Sequence, residues 1–230
     1  GAGGIVKESI EDRKIKEEVI RILKDRGHTV YDCTAEGASA SDNLYQIVKK
    51  CNAHDVDIDV SIHLNCYDGH YSKGKWVDGH GHGTETLIYS SKSKAKKQAQ
   101  KITKNIAKLG YANRGVKVRS DLYVLHRTNA PALLVETFFC DNKGDCNKYK
   151  EVTYKGIAKA IADGITTKTI KQKVFDKVTK KNSIGKDNKV IAAEVCNGRW
   201  GNDPERSKRL KEAGYDPKAI QKIVDKMMKG

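Results

Sequence analysis

A histidine stands at the end of a run that alternates as a half-buried strand does. Ile58, Val60 and Ile62 fall on one face of this run, and β-branched residues at that spacing favour a pleated sheet surface. His63 follows directly, so we expect it at the rim of a sheet, where α/β proteins place their chemistry. An imidazole there can bind a metal once a hydrogen bond fixes its tautomer. His63 is therefore a candidate metal ligand, although single histidines more often have a structural role.

Two glutamates occupy positions where a carboxylate could serve such a site. Glu8 lies in the first turn of a helix predicted from the apolar spacing of residues 15–23, where negative charge also complements the helix dipole. Glu136 ends an almost unbroken apolar run, 131–139, which is typical of a strand buried on both faces. Burying an unpaired carboxylate costs several kcal/mol or raises its pKa. Glu136 is therefore either a general base beside a metal or a carboxylate held by backbone amides or an arginine.

Four short motifs occur in a consistent order along the first part of the chain. They are Lys7-Glu8-Ser9, Ser61-Ile62-His63-Leu64-Asn65, Gly83-Thr84-Glu85 and Leu134-Val135-Glu136-Thr137-Phe138. In this order they resemble the zinc-dependent N-acetylmuramoyl-L-alanine amidases of phage endolysins and clostridial autolysins. The resemblance covers residues 1–168 and implies an α/β domain with a mixed, mostly parallel sheet flanked by helices.

The resemblance also implies a zinc site and a reaction. The family holds one Zn²⁺ through two histidines and a glutamate, and a second glutamate assists the attacking water. Glu8 and His63 match two of the zinc ligands, and Glu136 matches the catalytic glutamate. Asn65 and Glu85 are candidate substrate-binding residues in the same cleft. The bond cut would join the lactyl group of N-acetylmuramic acid to L-alanine of the peptidoglycan stem peptide.

One part of the family pattern has no counterpart in this sequence. The family's first zinc histidine precedes the ligand glutamate, whereas no histidine precedes Glu8. Either the natural protein continues upstream with that ligand and the first strand, or another residue completes the site. His80 and His82, in a glycine-rich loop, are conceivable substitutes. Without a third ligand, we expect poor zinc binding and no activity. The rival hypothesis is a non-catalytic cell-wall-binding protein with a degenerate amidase domain.

The last part of the chain is predicted to be a separate module. Residues 169–186 form a basic linker, and 187–230 form a small three-helix bundle with an Asn-Asp-Pro start at 202–204. Residues 187–230 resemble the short helical repeat that ends certain phage lysozymes and binds muropeptide units of the cell wall. Trp200 could stack on a sugar and Arg206 could bind a muropeptide carboxylate. Alternatively, Trp200 belongs to the core of the bundle.

The composition favours an anionic partner. The 230 residues carry a formal net charge of +15, which attracts peptidoglycan and other anionic wall polymers. Nucleic acid is the commonest partner of a basic protein. However, zinc-finger spacings and aromatic-basic motifs for single strands are absent from the sequence, so we expect no nucleic-acid partner. The sequence does not determine the oligomeric state.

Cysteine usage and the absence of targeting signals give an expected location. The six cysteines are scattered, which predicts free thiols and synthesis in a reducing cytoplasm. Neither a signal peptide nor an apolar membrane span is visible in the sequence. We therefore expect a protein made in the cytoplasm of an infected or producing bacterium, which acts on the cell wall after release.

The remaining patterns predict further elements of the α/β domain. Residues 29–33 and 84–89 are expected to be strands, and 93–109 and 154–165 helices. The loop 66–83 is long enough to be a flap that faces the substrate, or it is disordered.

Overall fold

A computed structural model describes residues 3–166, 188–196, 200 and 203–227. The chain forms two compact units that divide between Gln172 and Lys173. The predicted linker, 169–186, lies outside the described residues. The first unit contains helices and strands in the following order: α1 Glu8–Asp25, α2 Ala40–Asn52, β1 Asp59–Asn65, β2 His70–Ser72, β3 Lys75–Val77, β4 Thr84–Ile88, α3 Lys96–Ala107, β5 Asn113–Val118, α4 Tyr123–Arg127, β6 Ala132–Phe139 and α5 Lys143–Ile165.

A four-stranded mixed sheet with helices on its faces confirms the expected α/β fold. The strand order is β1-β6-β4-β5. The pairs β1/β6 and β4/β5 are parallel, and β4/β6 is antiparallel. The strands predicted around His63, Glu85 and Glu136 are therefore neighbours. Because β4 runs against β6, its beginning lies beside the end of β6.

The two faces of the sheet are covered by different groups of apolar side chains. Ile88, Leu133 and Val135 face the main core, which is formed with buried residues of α1, α3 and α5. Leu87 and Leu134 face the other way and pack against Leu125 of α4 in a smaller cluster. Each fully buried aliphatic side chain stabilises the fold by about 1.5–3 kcal/mol. Burial on both faces explains the unbroken apolar run of β6.

The prediction of a strand at 29–33 is wrong. The segment is not part of the sheet, and its polar groups are used locally instead. The Asp32 side chain accepts the backbone N–H of Thr34 at 3.0 Å and binds Lys16 at 2.8 Å, while Tyr31 stacks on His54 with ring centroids 3.7 Å apart. Residues 29–33 have the alternating side-chain pattern of a strand, but no strand among the described residues pairs with their backbone.

The loop 66–83 is folded onto the end of β6, and β2 and β3 form an antiparallel hairpin at its tip. The buried Asp141 accepts the backbone N–H groups of Tyr67 and Gly69 through Oδ2, both at 2.9 Å. Asn142 donates from Nδ2 to the carbonyl oxygen of Gly79 at 2.8 Å. The loop is therefore ordered, and its role as a flap that faces the substrate stays a prediction.

In the second unit the described residues form three helices, as the sequence predicts for 187–230. They are α6 Asn188–Cys196, α7 Glu205–Glu212 and α8 Pro217–Met227. Buried apolar residues from all three form one small core: Ile191, Ala192, Val195, Leu210, Ile220 and Val224.

All six cysteines lie in the described part of the chain, and all are free thiols, as expected. Among the described residues, no helix has the length and apolar character needed to cross a membrane.

Candidate active site

The first turn of α1 carries a buried carboxylate that contacts the end of β1. Glu8 is 7% exposed, and its Oε1 lies 2.9 Å from Nδ1 of His63. The same oxygen accepts the backbone N–H of Leu64 at 3.3 Å. The structure therefore brings together the two residues that the sequence resemblance assigns as zinc ligands.

Neighbouring groups orient the His63 ring. Ser61 Oγ lies 3.0 Å from Nε2 and Glu8 lies on Nδ1, while Thr137 donates from Oγ1 to the backbone carbonyl oxygen of His63 at 3.0 Å and so holds the backbone rather than the ring. Burial lowers the pKa of His63, but the hydrogen bond to Glu8 and the nearby Glu136 carboxylate outweigh it, so the pKa is raised overall. The imidazole thus lies in a site with an excess of negative charge, which favours a cation.

Glu136 lies on β6, the strand next to β1, and is paired directly with His63 in the register of the two strands. Burial raises the pKa of Glu136 to about 7, and the Glu8 and Glu85 carboxylates contribute to the rise, although His63 opposes it. Its Oε2 is buried and has no hydrogen-bond partner among the protein atoms described. A carboxyl group with a near-neutral pKa is suited to gain and lose a proton.

The strand register extends this arrangement into a polar row across the whole sheet. His63 of β1 pairs with Glu136 of β6, and Glu136 pairs with Glu85 of β4. Arg114 of β5 donates from Nε to Oε2 of Glu85 at 2.9 Å. The four strands therefore contribute one side chain each to the row His63-Glu136-Glu85-Arg114.

A cleft of about 380 Å³ lies at this edge of the sheet. Asn65 lines it and donates from Nδ2 to Oε1 of Glu85 at 3.3 Å. The candidate substrate-binding residues Asn65 and Glu85 are thus in contact with each other. The other lining residues are Tyr67, His80, Gly81, Arg114 and Phe139.

Glu8 and His63 are the kinds of side chain that bind zinc, but they provide only two donors, and the two donor atoms are hydrogen-bonded and stand closer together than ligands of one zinc ion do. Two N or O ligands of one tetrahedral zinc stand about 3.3 Å apart, and Nδ1 and Oε1 are 2.9 Å apart. Among the described residues, no three His, Cys, Asp or Glu side chains form a metal-sized group. The suggested substitutes do not complete the pair: His80 is bound to Asp68 at 2.5 Å, and His82 lies exposed beside the His80 carbonyl oxygen.

Sequence and structure comparisons identify the family. The family model for N-acetylmuramoyl-L-alanine amidase matches residues 1–167. The chain belongs to this family. A second model, of the CW_7 repeat, matches residues 189–228, so the amidase domain is accompanied by a cell-wall repeat.

Individual relatives agree with this assignment. An uncharacterized protein of Clostridium perfringens is 35% identical over 179 residues, which are 76% of this chain and 50% of that protein. The endolysin of Bacillus phage SPP1 is 28% identical over 85% of this chain and 73% of its own. The chain thus spans half the length of the clostridial relative.

A solved structure supports the fold. The catalytic domain of the CD27L endolysin, which targets Clostridia difficile, matches 74% of this chain and 88% of that domain. The TM-score is 0.65 and the sequence identity is 28%. The amidase-like fold is therefore confirmed from both sequence and structure.

In the second unit, the two candidate wall-binding residues have partners among the described residues of that unit. Trp200 is half-buried against the small core, donates from Nε1 to Glu194 at 3.1 Å and meets Tyr215 edge-on. Arg206 is paired with Asp203. The packing of Trp200 agrees with the alternative that it stabilises the bundle, while direct ligand contact by either residue stays a prediction.

Sequence reasoning missed two residues that shape the cleft. Arg114 reaches it only through the pairing of β5 with β4, and Asp141 acts through the loop 66–83. For Asp141, a signal existed: a buried strand that ends in Asp-Asn predicts a turn with side-chain hydrogen bonds to the backbone. The sequence contains no comparable signal for Arg114.

Proposed function

We propose that this chain is a zinc-dependent peptidoglycan amidase of the endolysin type. It would cleave the bond between the lactyl group of N-acetylmuramic acid and L-alanine. The observation that supports this most strongly is the meeting of Glu8, His63 and Glu136 at one edge of the sheet, with Oε1 of Glu8 2.9 Å from Nδ1 of His63 and Glu136 in register beside it.

In the proposed mechanism, Glu8 and His63 hold the zinc together with a third ligand. When bound, Zn²⁺ supplies Lewis acidity that polarises the amide carbonyl and makes water a stronger nucleophile. Glu136 takes a proton from the attacking water and then delivers a proton to the departing amine of L-alanine. Its pKa of about 7 suits both steps near neutral pH. Asn65 and Glu85 line the cleft and contact the substrate.

The second unit would hold the enzyme on its substrate. We propose that the CW_7 repeat binds muropeptide, with Arg206 contributing a charged contact, and that the formal charge of +15 adds attraction to anionic wall polymers. The protein would act on the cell wall after its release from the cell in which it is made.

The rival function is wall binding by a domain that has lost its metal. It is favoured by one observation: two zinc donors, rather than three, come together among the described residues. Both functions predict binding to peptidoglycan, but only the amidase predicts a new amino terminus.

Product analysis tests the proposal. The protein is incubated with purified peptidoglycan and Zn²⁺, and the soluble fraction is analysed for new amino termini and new reducing sugars. We expect new N-terminal L-alanine and no new reducing ends from the unmodified protein, and no new N-terminal L-alanine from Glu136→Gln. Reducing ends, or wall binding with no product, would reject the amidase.

A further inference from the structure

We propose that Arg114 forms a subsite for a carboxylate of the stem peptide. The inference rests on the proposed function and deepens it. It places a specificity-determining residue at the end of the row His63-Glu136-Glu85-Arg114, with the acidic peptide on the amine side of the scissile bond as its ligand.

The Arg114 side chain is held in place but keeps unused donors. Its Nε donates to Glu85 at 2.9 Å, and its guanidinium carbon lies 5.0 Å from the centre of the Phe139 ring. Nη1 has one long contact, to the His82 carbonyl oxygen at 3.4 Å. The side chain is 37% exposed and lines the cleft. The Nη groups therefore remain available to a ligand.

A bulge in β5 directs Arg114 to this position. Thr84 pairs with Asn113 and Thr86 pairs with Val116, so Arg114 and Gly115 both lie opposite Glu85. Gly115 has a φ of +80°, which a glycine adopts without strain. Bulges of this kind re-aim side chains beside active sites. Counted back from the Thr86–Val116 pair, regular pairing would place Gly115 opposite Glu85 and Arg114 opposite Thr84.

The distance along the row identifies which part of the peptide Arg114 meets. Neighbouring strands lie about 4.8 Å apart, so β5 is about 10 Å from β6, which carries Glu136. An extended peptide advances about 3.3–3.6 Å per residue. With the scissile amide at Glu136 and the peptide extended along the row toward β5, Arg114 faces the second or third residue of the stem peptide.

Because charges near Arg114 offset its own, we expect Arg114 to recognise a carboxylate through directed hydrogen bonds rather than through long-range attraction. Glu85 neutralises much of the field of Arg114, and the exposed His80 and the His82 carbonyl oxygen border the same cleft. The planar guanidinium can still give two parallel N–H bonds to a carboxylate while Nε stays on Glu85. An amide in place of the carboxylate loses the charge-assisted part of these bonds, which corresponds to about a tenfold or larger change in kcat/KM.

A pair of matched substrates tests the proposal on the unmodified protein. The substrates are synthetic N-acetylmuramoyl tripeptides. In one pair the second residue carries either a free carboxylate or the corresponding primary amide, and in the other pair the third residue does. With Zn²⁺ present, we expect the acid to be cleaved with at least about tenfold higher kcat/KM at one of these positions. Equal rates for acid and amide at both positions would overturn the proposal.

Variants then assign the selectivity to Arg114. In Arg114→Gln, the preference should disappear while cleavage of the amide substrate continues, and Arg114→Lys should keep part of the preference. The control is Arg21→Gln, which removes the same charge from an exposed site on α1 where Arg21 pairs with Glu18 and Asp25. Its selectivity should equal that of the unmodified protein.

The outcomes separate this proposal from the proposed function. No cleavage of any substrate by the unmodified protein rejects the amidase activity itself. Cleavage with a preference that persists in Arg114→Gln rejects the subsite and leaves the amidase standing. If Arg114→Gln does not fold, as measured by circular dichroism, the Arg114→Lys variant and the substrate pair decide the question.

Discussion

At the scale of single residues, the burial of the Glu136 carboxyl, which suits its proposed catalytic role, has a cost in stability. Its buried carboxyl has a pKa of about 7, whereas a glutamate in an unfolded chain has a pKa of about 4.3. Between these values, the folded protein binds a proton that the unfolded chain has released. This carboxyl therefore destabilises the fold progressively as the pH rises from about 4.3 to about 7.

Replacement of Glu136 by glutamine should accordingly stabilise the zinc-free protein at alkaline pH. The difference in free energy of unfolding between Glu136→Gln and the unmodified protein should grow by about 3 kcal/mol from pH 4 to pH 8. Urea unfolding in the presence of a chelator measures it. Glu17→Gln, at an exposed position on α1, corrects for the removal of one negative charge. A difference that stays constant across this pH range would contradict the raised pKa.

The sequence points to most of the candidate site residues but not to Arg114. A strand pattern that ends at His63, and a carboxylate that follows a buried run at Glu136, make these two residues candidates, and the structure places them opposite each other. Both signals are local. Arg114 lies in a short, largely exposed strand, and its contact with Glu85 depends on the register of β5 against β4. Such a contact between distant residues has no local pattern.

At the scale of elements, the turn after β6 positions the loop 66–83 beside the cleft. The Asp141 carboxylate accepts two backbone N–H groups, and the backbone N–H of Lys143 binds Asp78 Oδ1 at 2.7 Å. Hydrogen bonds to a charged group contribute about 1.5–3 kcal/mol each. The hairpin of β2 and β3 at the tip is exposed, so we infer that these contacts, rather than an apolar core, keep the loop ordered.

Loss of the Asp141 side chain should therefore loosen the loop without unfolding the domain. In Asp141→Ala, trypsin should cleave after Lys73 and Lys75 at least about tenfold faster, since about 1.4 kcal/mol of lost local stability corresponds to a factor of ten. Mass spectrometry of the fragments gives the rate at each site. The control, Asp121→Ala, removes an exposed carboxylate that pairs with Arg119. Equal cleavage rates in the two variants would show that other contacts hold the loop.

The sequence predicts correctly those helices and strands in which the spacing of apolar residues reflects a face buried in the core. The helix α3 and the strands β4 and β6 follow from apolar spacing, because each presents a face to the core. Residues 29–33 have a similar period but no partner strand in the described part of the chain. Periodicity reports which side chains can be buried, whereas a strand also requires a neighbour for its backbone hydrogen bonds.

At the scale of the whole molecule, the chain joins an amidase domain to a cell-wall repeat and carries a large positive charge. The repeat spans residues 189–228, and the formal net charge is +15. Attraction between exposed charges is screened by salt, with a Debye length of about 10 Å at 0.1 M ionic strength. Recognition of a specific muropeptide depends less on salt. The two contributions to wall binding can therefore be separated.

The affinity of Glu136→Gln for purified cell walls should have a salt-dependent contribution and a salt-independent contribution. We expect the affinity to fall about tenfold as NaCl rises from 0.05 M to 0.5 M, because the long-range attraction is screened. Walls stripped of anionic polymers should bind with little salt dependence, and Arg206→Gln should weaken that remaining part. Salt-independent binding to intact walls would contradict a role for the net charge.

The most direct test of the central hypothesis is zinc content measured together with hydrolysis in three matched proteins. The unmodified protein, His63→Ala and Glu136→Gln are loaded with Zn²⁺, desalted and analysed by elemental analysis, and each is assayed on peptidoglycan for new N-terminal L-alanine. With a third ligand completing the site, we expect zinc and activity in the first protein, neither in His63→Ala, and zinc without activity in Glu136→Gln. Undiminished zinc in His63→Ala, or undiminished hydrolysis by Glu136→Gln, would contradict the assignment of these residues.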